Sequence, residues 1–158
     1  MGSGKSTAGR ALADRLRWIY VDNDAAIAEM AGRTTLDLAE AGGTLLHDWE
    51  SRYVKGLVAG GQPVVAGIPA STADLDDNLR LLDQSGDLVY LRCDADTLVA
   101  RIKSDGRRPW LVDDEVRQQV EAMLSAREPH ILRFAHHVVD SSAPLAQVVD
   151  QLMTIVGE

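Results

Sequence analysis

GSGKST, at residues 2–7, is the stretch that decides the fold class of this 158-residue chain. It is the second half of a glycine-rich phosphate-binding loop, whose full form is GxxxxGK followed by Ser or Thr. The first glycine of that form, and the buried strand that leads into the loop, would both lie before Met1. The stretch predicts a nucleotide site. A natural start upstream of Met1 is the simpler explanation of the missing part.

The residue types in this loop match the chemistry of a bound triphosphate. Backbone N–H groups around the two glycines would hold the α- and β-phosphates, helped by the N-terminus of the following helix. The Lys5 ammonium would reach the β- and γ-phosphate oxygens, and the Ser6 hydroxyl would ligate Mg²⁺. An ordinary glycine-rich turn is the alternative for this stretch taken alone. The predicted ATP contacts are Gly2, Ser3, Gly4, Lys5, Ser6 and Thr7.

The composition is that of an ordinary globular chain. Hydrophobic residues make up 46% and charged residues 25%, so we expect one domain over residues 1–158 with a single core. The net charge of −8 argues against a nucleic-acid partner, and no apolar run has the length of a membrane span. Cys93, the single cysteine, suits a reducing cytoplasm. We expect a cytoplasmic monomer or weak homodimer.

Short apolar strands alternate with helices along the chain, a pattern that predicts a parallel sheet between two layers of helices. The predicted fold class is therefore α/β, with three αβα layers. The predicted strands are residues 18–21, 63–66, 88–92 and 138–139. The predicted helices are residues 7–16, 24–30, 35–41, 44–59, 72–83, 96–104, 113–133 and 144–156.

Five motifs follow one another in a characteristic order. They are GSGKST at 2–7, VDND at 21–24, RRPWL at 107–111, REP at 127–129 and VVD at 138–140. In these motifs the chain resembles the shikimate kinases, small members of the P-loop nucleoside-monophosphate-kinase group, over residues 1–156. The resemblance implies a sheet of order 2-3-1-4-5, with strand 1 absent from this chain. It also implies transfer of the γ-phosphoryl group of ATP, with Mg²⁺, to a hydroxyl of a small carboxylated polyol. The expected acceptor is shikimate, giving shikimate 3-phosphate in aromatic amino-acid biosynthesis.

The resemblance assigns further residues to the ATP side of the site. Lys5 and Arg108 would act on the transferring phosphoryl group, Arg108 from a lid at about residues 105–113 that closes over ATP. Arg101 would stack on the adenine, and Ser142 would belong to the adenine-side loop. The alternatives are a solvated loop for the lid and an ordinary helix start for residues 141–144.

Two carboxylates follow the first predicted strand, at the sheet edge where ligands of α/β proteins collect. The resemblance places Asp22 in the magnesium shell and Asp24 on the substrate hydroxyls, near the attacking oxygen. A carboxylate there can orient the acceptor hydroxyl and take its proton. The alternative is capping of the following helix by Asp22 or Asn23, worth about 1 kcal/mol.

The remaining acceptor contacts lie in a helical region at about residues 23–60 and beyond it. Arg127 matches the family arginine that holds the substrate carboxylate, although a charge near a helix C-terminus is the alternative. Glu50 is retained from the family, but His47 stands where the family has a second arginine for that carboxylate. Histidine can replace it only when protonated.

The family's triple-glycine loop is also altered, because Gly67-Ile68-Pro69 takes its place. Gly67 remains a predicted substrate contact, whereas Pro69 has no N–H to offer. These departures leave two alternatives to a shikimate kinase. One is a related kinase with a different acceptor, and the other is a nucleotide-binding protein without turnover.

Overall fold

The computed structural model describes residues 2–104 and 113–157, in which helices alternate with parallel strands as the sequence predicts. The α/β fold class is confirmed. The strands are β1 (Ile19–Val21), β2 (Val64–Ala66), β3 (Val89–Arg92) and β4 (His137–Asp140). The helices are α1 (Lys5–Leu16), α2 (Asn23–Ala31), α3 (Thr35–Ala41), α4 (Gly43–Ala59), α5 (Asp76–Asp83), α6 (Ala95–Ser104), α7 (Asp113–Phe134) and α8 (Leu145–Val156), with a short 3-10 helix at Ala70–Asp74.

The chain divides into two compact units, Gly9–Gly86 and the combination of Met1–Ala8 with Asp87–Glu158. The first unit holds β1, β2, the helices α2 to α5 and most of α1. The second holds the phosphate-loop residues, β3, β4 and the helices α6 to α8. That the two units act as one domain stays a prediction.

Each unit contains one pair of parallel strands. β1 pairs with β2, with Tyr20 opposite Val65, and β3 pairs with β4, with Leu91 opposite Val139. The predicted order 2-3-1-4-5 makes the same two pairs neighbours, namely strands 2 and 3 and strands 4 and 5. The position assigned to strand 1 in that order stays a prediction.

Most helix boundaries follow local signals in the sequence. Helix α3 begins with a reciprocal cap, in which Thr34 Oγ1 accepts from the Asp37 N–H and Asp37 Oδ2 accepts from the Thr34 N–H, both at 3.1 Å. Helix α4 ends at Ala59, before Gly60 and Gly61, and Gly61 adopts a φ of 63°. Such caps satisfy backbone groups that a helix end leaves without intrahelical partners.

One predicted helix, residues 72–83, is divided into two. The 3-10 helix closes with a hydrogen bond from the Leu75 N–H to the Thr72 carbonyl. Leu75 is then extended, with φ −131° and ψ 91°, and α5 starts at the next residue. The prediction missed this break because Leu75, Leu79 and Leu82 keep helical spacing across it.

Each unit has its own apolar core. In Gly9–Gly86 the side chains of Ile27, Leu38 and Val54 are fully buried. In the other unit α6 and α7 enclose a cluster formed by Cys93, Leu98, Val99, Val116 and Val120. Within the part of the chain that the structure describes, no helix has the length and apolar character needed to cross a membrane.

Candidate active site

The phosphate loop adopts the backbone conformation that its glycines permit. Gly2 and Gly4 have φ of 74° and 84°, in the left-handed region that glycine enters without strain. A Cβ on Gly2 would lie 3.4 Å from Ile102 Cγ1 and from the Leu98 carbonyl oxygen. The predicted glycine loop is therefore formed, and an alanine at Gly2 would have a strained backbone.

Helix α1 starts directly after this loop. The Ala8 N–H donates to the Gly4 carbonyl at 2.8 Å, which closes the first turn with Lys5 as its first residue. The N–H groups of a first helical turn have no intrahelical acceptor and favour a bound anion. Lys5 is half-buried and Ser6 and Thr7 are exposed at this end of α1. Their contacts to ATP and Mg²⁺ stay predictions.

Arg101 connects the phosphate loop to the loop after β4. Its guanidinium donates to the Gly2 carbonyl at 3.2 Å and to the Ser141 carbonyl at 2.7 Å, and it lies 3.8 Å from Cys93 Sγ. The sequence predicted a stack on adenine for this residue. These contacts use the N–H groups at the edge of the guanidinium, so its planar face could still stack on adenine. The stack stays a prediction.

Two carboxylates order the loop after β4. Asp140 belongs to the VVD motif, whereas Asp94 was not among the predicted residues. The Ser142 N–H donates to Asp140 Oδ1 at 2.8 Å, and the Ser142 hydroxyl donates to Asp94 Oδ2 at 3.1 Å. Asp94 also accepts from the Thr97 N–H at 2.8 Å and from its hydroxyl at 2.7 Å. These hydrogen bonds, led by the one from the Thr97 N–H, lower the pKa of Asp94 to about 2. The spacing Asp94 to Thr97 is a helix-start signal that could have identified Asp94.

Asp22 caps helix α2 and pairs with an arginine of α1. Its Oδ1 accepts from the N–H groups of Asp24 and Ala25 at 3.2 and 3.3 Å. Its Oδ2 lies 3.3 Å from the Arg10 guanidinium, which in turn lies 5.2 Å from the centre of the Tyr20 ring. The capping alternative is thus correct for Asp22, while its place in a magnesium shell stays a prediction. The sequence did not predict the Arg10–Asp22 pair, because the two residues come together only when the chain folds.

Asp24 is exposed on the first turn of α2. Its Oδ1 accepts a hydrogen bond from the Asn23 side-chain amide at 2.9 Å. Asn23 itself is buried, so its amide holds the Asp24 carboxylate at the rim of the unit. Asp24 is accessible to solvent, and its contact with an acceptor hydroxyl stays a prediction.

Gly67 occupies a close-packed position at the end of β2. A Cβ there would lie 3.0 Å from both Asn23 Oδ1 and Tyr20 Oη. The Gly67 N–H donates to the Val21 carbonyl at 2.9 Å, and its carbonyl accepts from Tyr53 Oη at 2.8 Å. A larger residue would fit here only if the side chains of Asn23 and Tyr20 shifted. The Gly67 N–H, which belongs to the loop predicted to approach the substrate, is engaged with β1.

Helix α4 carries the other predicted acceptor residues of this unit. Glu50 is buried and accepts a hydrogen bond from the Ser71 hydroxyl at 2.5 Å. His47 is half-buried and lies one turn earlier on α4. Burial, followed by the charges of Tyr20 and Asp22, raises the pKa of Tyr53 far above its ordinary value, so its hydroxyl remains a donor. Ser71 was not among the predicted residues.

Arg127 lies half-buried on α7 in the other unit. Its neighbour Glu128 forms an ion pair with Arg92 of β3, with 2.9 Å between Glu128 Oε1 and Arg92 Nε. Burial raises the pKa of Tyr90, and the Glu128 carboxylate raises it further. The substrate role of Arg127 stays a prediction. Arg108 and the lid up to residue 112 lie outside the described residues, and Asp113 begins α7.

The sequence matches the shikimate kinase family over residues 1–156. The chain belongs to the shikimate kinase family. It is 30% identical over 159 residues to a shikimate kinase from Pelotomaculum thermopropionicum, covering 100% of this chain and 92% of the relative. It is 34% identical over 159 residues to one from Nitratidesulfovibrio vulgaris, covering 98% and 90%.

Solved shikimate kinase structures share the fold. The enzyme from Bacteroides thetaiotaomicron superposes with a TM-score of 0.92 at 23% identity, over 100% of this chain and 94% of the other. The enzyme from Acinetobacter baumannii, solved in complex with shikimate, gives a TM-score of 0.83 at 23% identity, over 99% and 88%. As a member of the shikimate kinase family, the chain is an ATP-dependent kinase of a small molecule.

Proposed function

We propose that this shikimate kinase family member transfers the γ-phosphoryl group of Mg·ATP to a hydroxyl of shikimate, giving shikimate 3-phosphate and ADP. The family match over residues 1–156 carries the proposal. The phosphate loop supports it, because Gly2 and Gly4 adopt positive φ and Lys5 opens α1. Relatives of 30% and 34% identity along almost their whole length are shikimate kinases.

On the ATP side, backbone N–H groups of the phosphate loop hold the phosphates and Lys5 neutralises the charge that develops on the γ-phosphoryl oxygens. Arg101 and Ser142 bind the adenine end of the nucleotide. Arg108 stabilises the transferring phosphoryl group from the lid. The loop contacts are those of Gly2, Ser3, Gly4, Lys5, Ser6 and Thr7.

Ser6 and Asp22 are the residues that would hold Mg²⁺. The donor chemistry fits, since hydroxyl and carboxylate oxygens are the hard ligands that Mg²⁺ takes alongside nucleotide phosphates. Asp22 has its Oδ1 engaged in capping, while its Oδ2 lies 3.3 Å from the Arg10 guanidinium. The ion supplies charge neutralisation on the phosphate oxygens.

On the acceptor side, Asp24 orients the reacting hydroxyl and takes its proton. The hydroxyl oxygen attacks the γ-phosphorus as the bond from phosphorus to the β–γ bridging oxygen breaks, and ADP leaves. Arg127 binds the acceptor carboxylate, and His47 takes the role of the family's second arginine when it is protonated. Glu50 and Gly67 shape the acceptor site.

A related kinase with a different acceptor is the second candidate. His47 and the Ile68-Pro69 pair stand where the family has an arginine and two glycines, and these positions bear on the acceptor rather than on ATP. We further propose that the two units form one domain. We also propose that the protein acts in the cytoplasm as a monomer or weak homodimer and has no nucleic-acid partner.

ADP release in a coupled assay tests the proposal, with shikimate, quinate and gluconate compared at equal concentrations. Lys5→Ala should remove turnover, whereas Lys55→Ala, at an exposed position of α4, should retain it. Turnover that requires Lys5 but prefers another acceptor would replace the first candidate by the second.

A further inference from the structure

Helix α4 holds residues 67–71, the segment after β2, at both ends. Tyr53 Oη donates to the Gly67 carbonyl at 2.8 Å, and the Ser71 hydroxyl donates to Glu50 Oε1 at 2.5 Å. Glu50 and Tyr53 are three residues apart and so lie on adjoining turns of one side of α4. We call residues 67–71 the acceptor loop, because Gly67-Ile68-Pro69 replaces the family's glycine loop.

Both side chains that hold the acceptor loop are deeply buried. Glu50 and Tyr53 each have 3% of their surface exposed. A hydrogen bond from a hydroxyl to a buried carboxyl group is among the stronger kinds, and its loss leaves a buried oxygen without that donor. The Ser71–Glu50 hydrogen bond therefore has a larger effect on the loop position than an exposed contact would.

The backbone of the acceptor loop has little freedom of its own. The N–H and the carbonyl of Gly67 are both engaged, with Val21 and Tyr53 respectively. Pro69 has φ −56° and no N–H. A loop of this kind has its shape fixed by its contacts with α4, whereas three consecutive glycines would leave it flexible.

The residue at position 47 bears on the surroundings of Glu50, because it lies one turn earlier on α4. An arginine at 47 would lie one helical turn from Glu50 and would be a natural ion-pair partner for its carboxylate. His47 has a shorter side chain without a permanent charge. The Ser71 hydroxyl is a neutral donor to Glu50 Oε1 in a chain that has no arginine at position 47.

We propose that Ser71 is a positioning residue of the acceptor site. Through Glu50 it fixes the acceptor loop against α4, and so determines how well the acceptor fits. The inference rests on the proposed function only for its kinetic consequences, because the hydrogen bond itself can be tested without turnover.

The kinetic test compares Ser71→Ala with Ser51→Ala, which removes another α4-associated hydroxyl, the acceptor of a 2.9 Å hydrogen bond from Asn78. Ser71→Ala should raise the KM for shikimate about tenfold, with kcat within about twofold and the KM for ATP unchanged. Ser71→Thr, which retains the hydroxyl, should restore most of the affinity. Ser51→Ala should change none of the three constants.

Hydrogen exchange of the peptide that covers residues 67–75 provides a readout that requires no activity. Ser71→Ala should speed exchange there about tenfold, and Ser51→Ala should not. An unchanged exchange rate in Ser71→Ala would overturn the proposal, as would a KM for ATP that rises together with that for shikimate. If the wild-type protein fails to phosphorylate shikimate, the proposed function fails, and the exchange result still decides the role of Ser71.

Discussion

The Arg101 guanidinium donates to the carbonyl of Gly2, 3.2 Å away, although 99 positions separate the two residues. The same guanidinium also donates to the Ser141 carbonyl at 2.7 Å. One side chain thus joins the phosphate loop to the loop after β4. The consequence is that Arg101 contributes to the shape of the proposed ATP site, besides the adenine contact predicted for it.

Arg101→Lys should weaken ATP binding although it keeps the charge. A lysine ammonium is a point donor and cannot reproduce the planar fork that reaches two carbonyls. We expect the KM for ATP to rise about tenfold while the KM for shikimate changes little. Arg80→Lys, at an exposed position of α5, is the matched control. Equal ATP kinetics for the two variants would contradict the joining role of Arg101.

Gly9→Ala should destabilise the protein because α1 approaches β1 closely at this point. An added Cβ would lie 2.5 Å from Tyr20 Cε2. We expect a loss of about 1–3 kcal/mol in the free energy of unfolding, measured by urea denaturation. Gly56→Ala on α4 is the control, because nothing lies within 4 Å of its Cβ position. Gly56→Ala should gain about 0.5–1 kcal/mol in the free energy of unfolding from helix propensity. If Gly9→Ala is as stable as the wild-type protein, the close contact with Tyr20 is refuted.

Asp94→Asn should change the dependence of stability on pH. The pKa of Asp94 is lowered to about 2 in the folded protein, chiefly by the Thr97 N–H, against about 3.9 in an unfolded chain. Its charge therefore stabilises the fold above about pH 4, and that contribution disappears as the pH falls toward about 2. The Tm of Asp94→Asn should lie below wild type at pH 6, and the gap should close on acidification. If the Tm of Asp94→Asn is still below wild type at pH 2, the stabilising role of the Asp94 charge is wrong. The same holds if Asp48→Asn, at an exposed position, lowers the Tm equally.

His47→Arg should improve binding of a carboxylated acceptor. The added guanidinium restores a permanent charge on the α4 face that carries Glu50. We expect the KM for shikimate to fall about tenfold, as for a charged hydrogen bond. Asp48→Arg places the same charge at the next, exposed position and should not lower the KM. No difference between the two variants would remove His47 from the acceptor site.

The sequence predicted those features that depend on local signals. The helix at Thr35–Ala41 was predicted with its observed bounds, and α4 to within one residue, because caps and glycines mark their ends. The phosphate loop was predicted because its chemistry lies in six consecutive residues.

Features that depend on distant residues were missed. The Arg10–Asp22 pair, the Ser71–Glu50 hydrogen bond and the Arg101 contacts join residues 12, 21 and up to 99 positions apart. Nothing in the local pattern around these side chains specifies their partners. The break at Leu75 was missed for the opposite reason, because the apolar spacing continues across it.

Identification of the product by ³¹P NMR tests the central claim most directly. Protein, Mg·ATP and shikimate are incubated, with Lys5→Ala as the control. The proposed function predicts one phosphate monoester of shikimate formed for each ADP, and none with Lys5→Ala. ADP without phosphorylated shikimate, or a phosphorylated product that persists at the wild-type rate in Lys5→Ala, would contradict it.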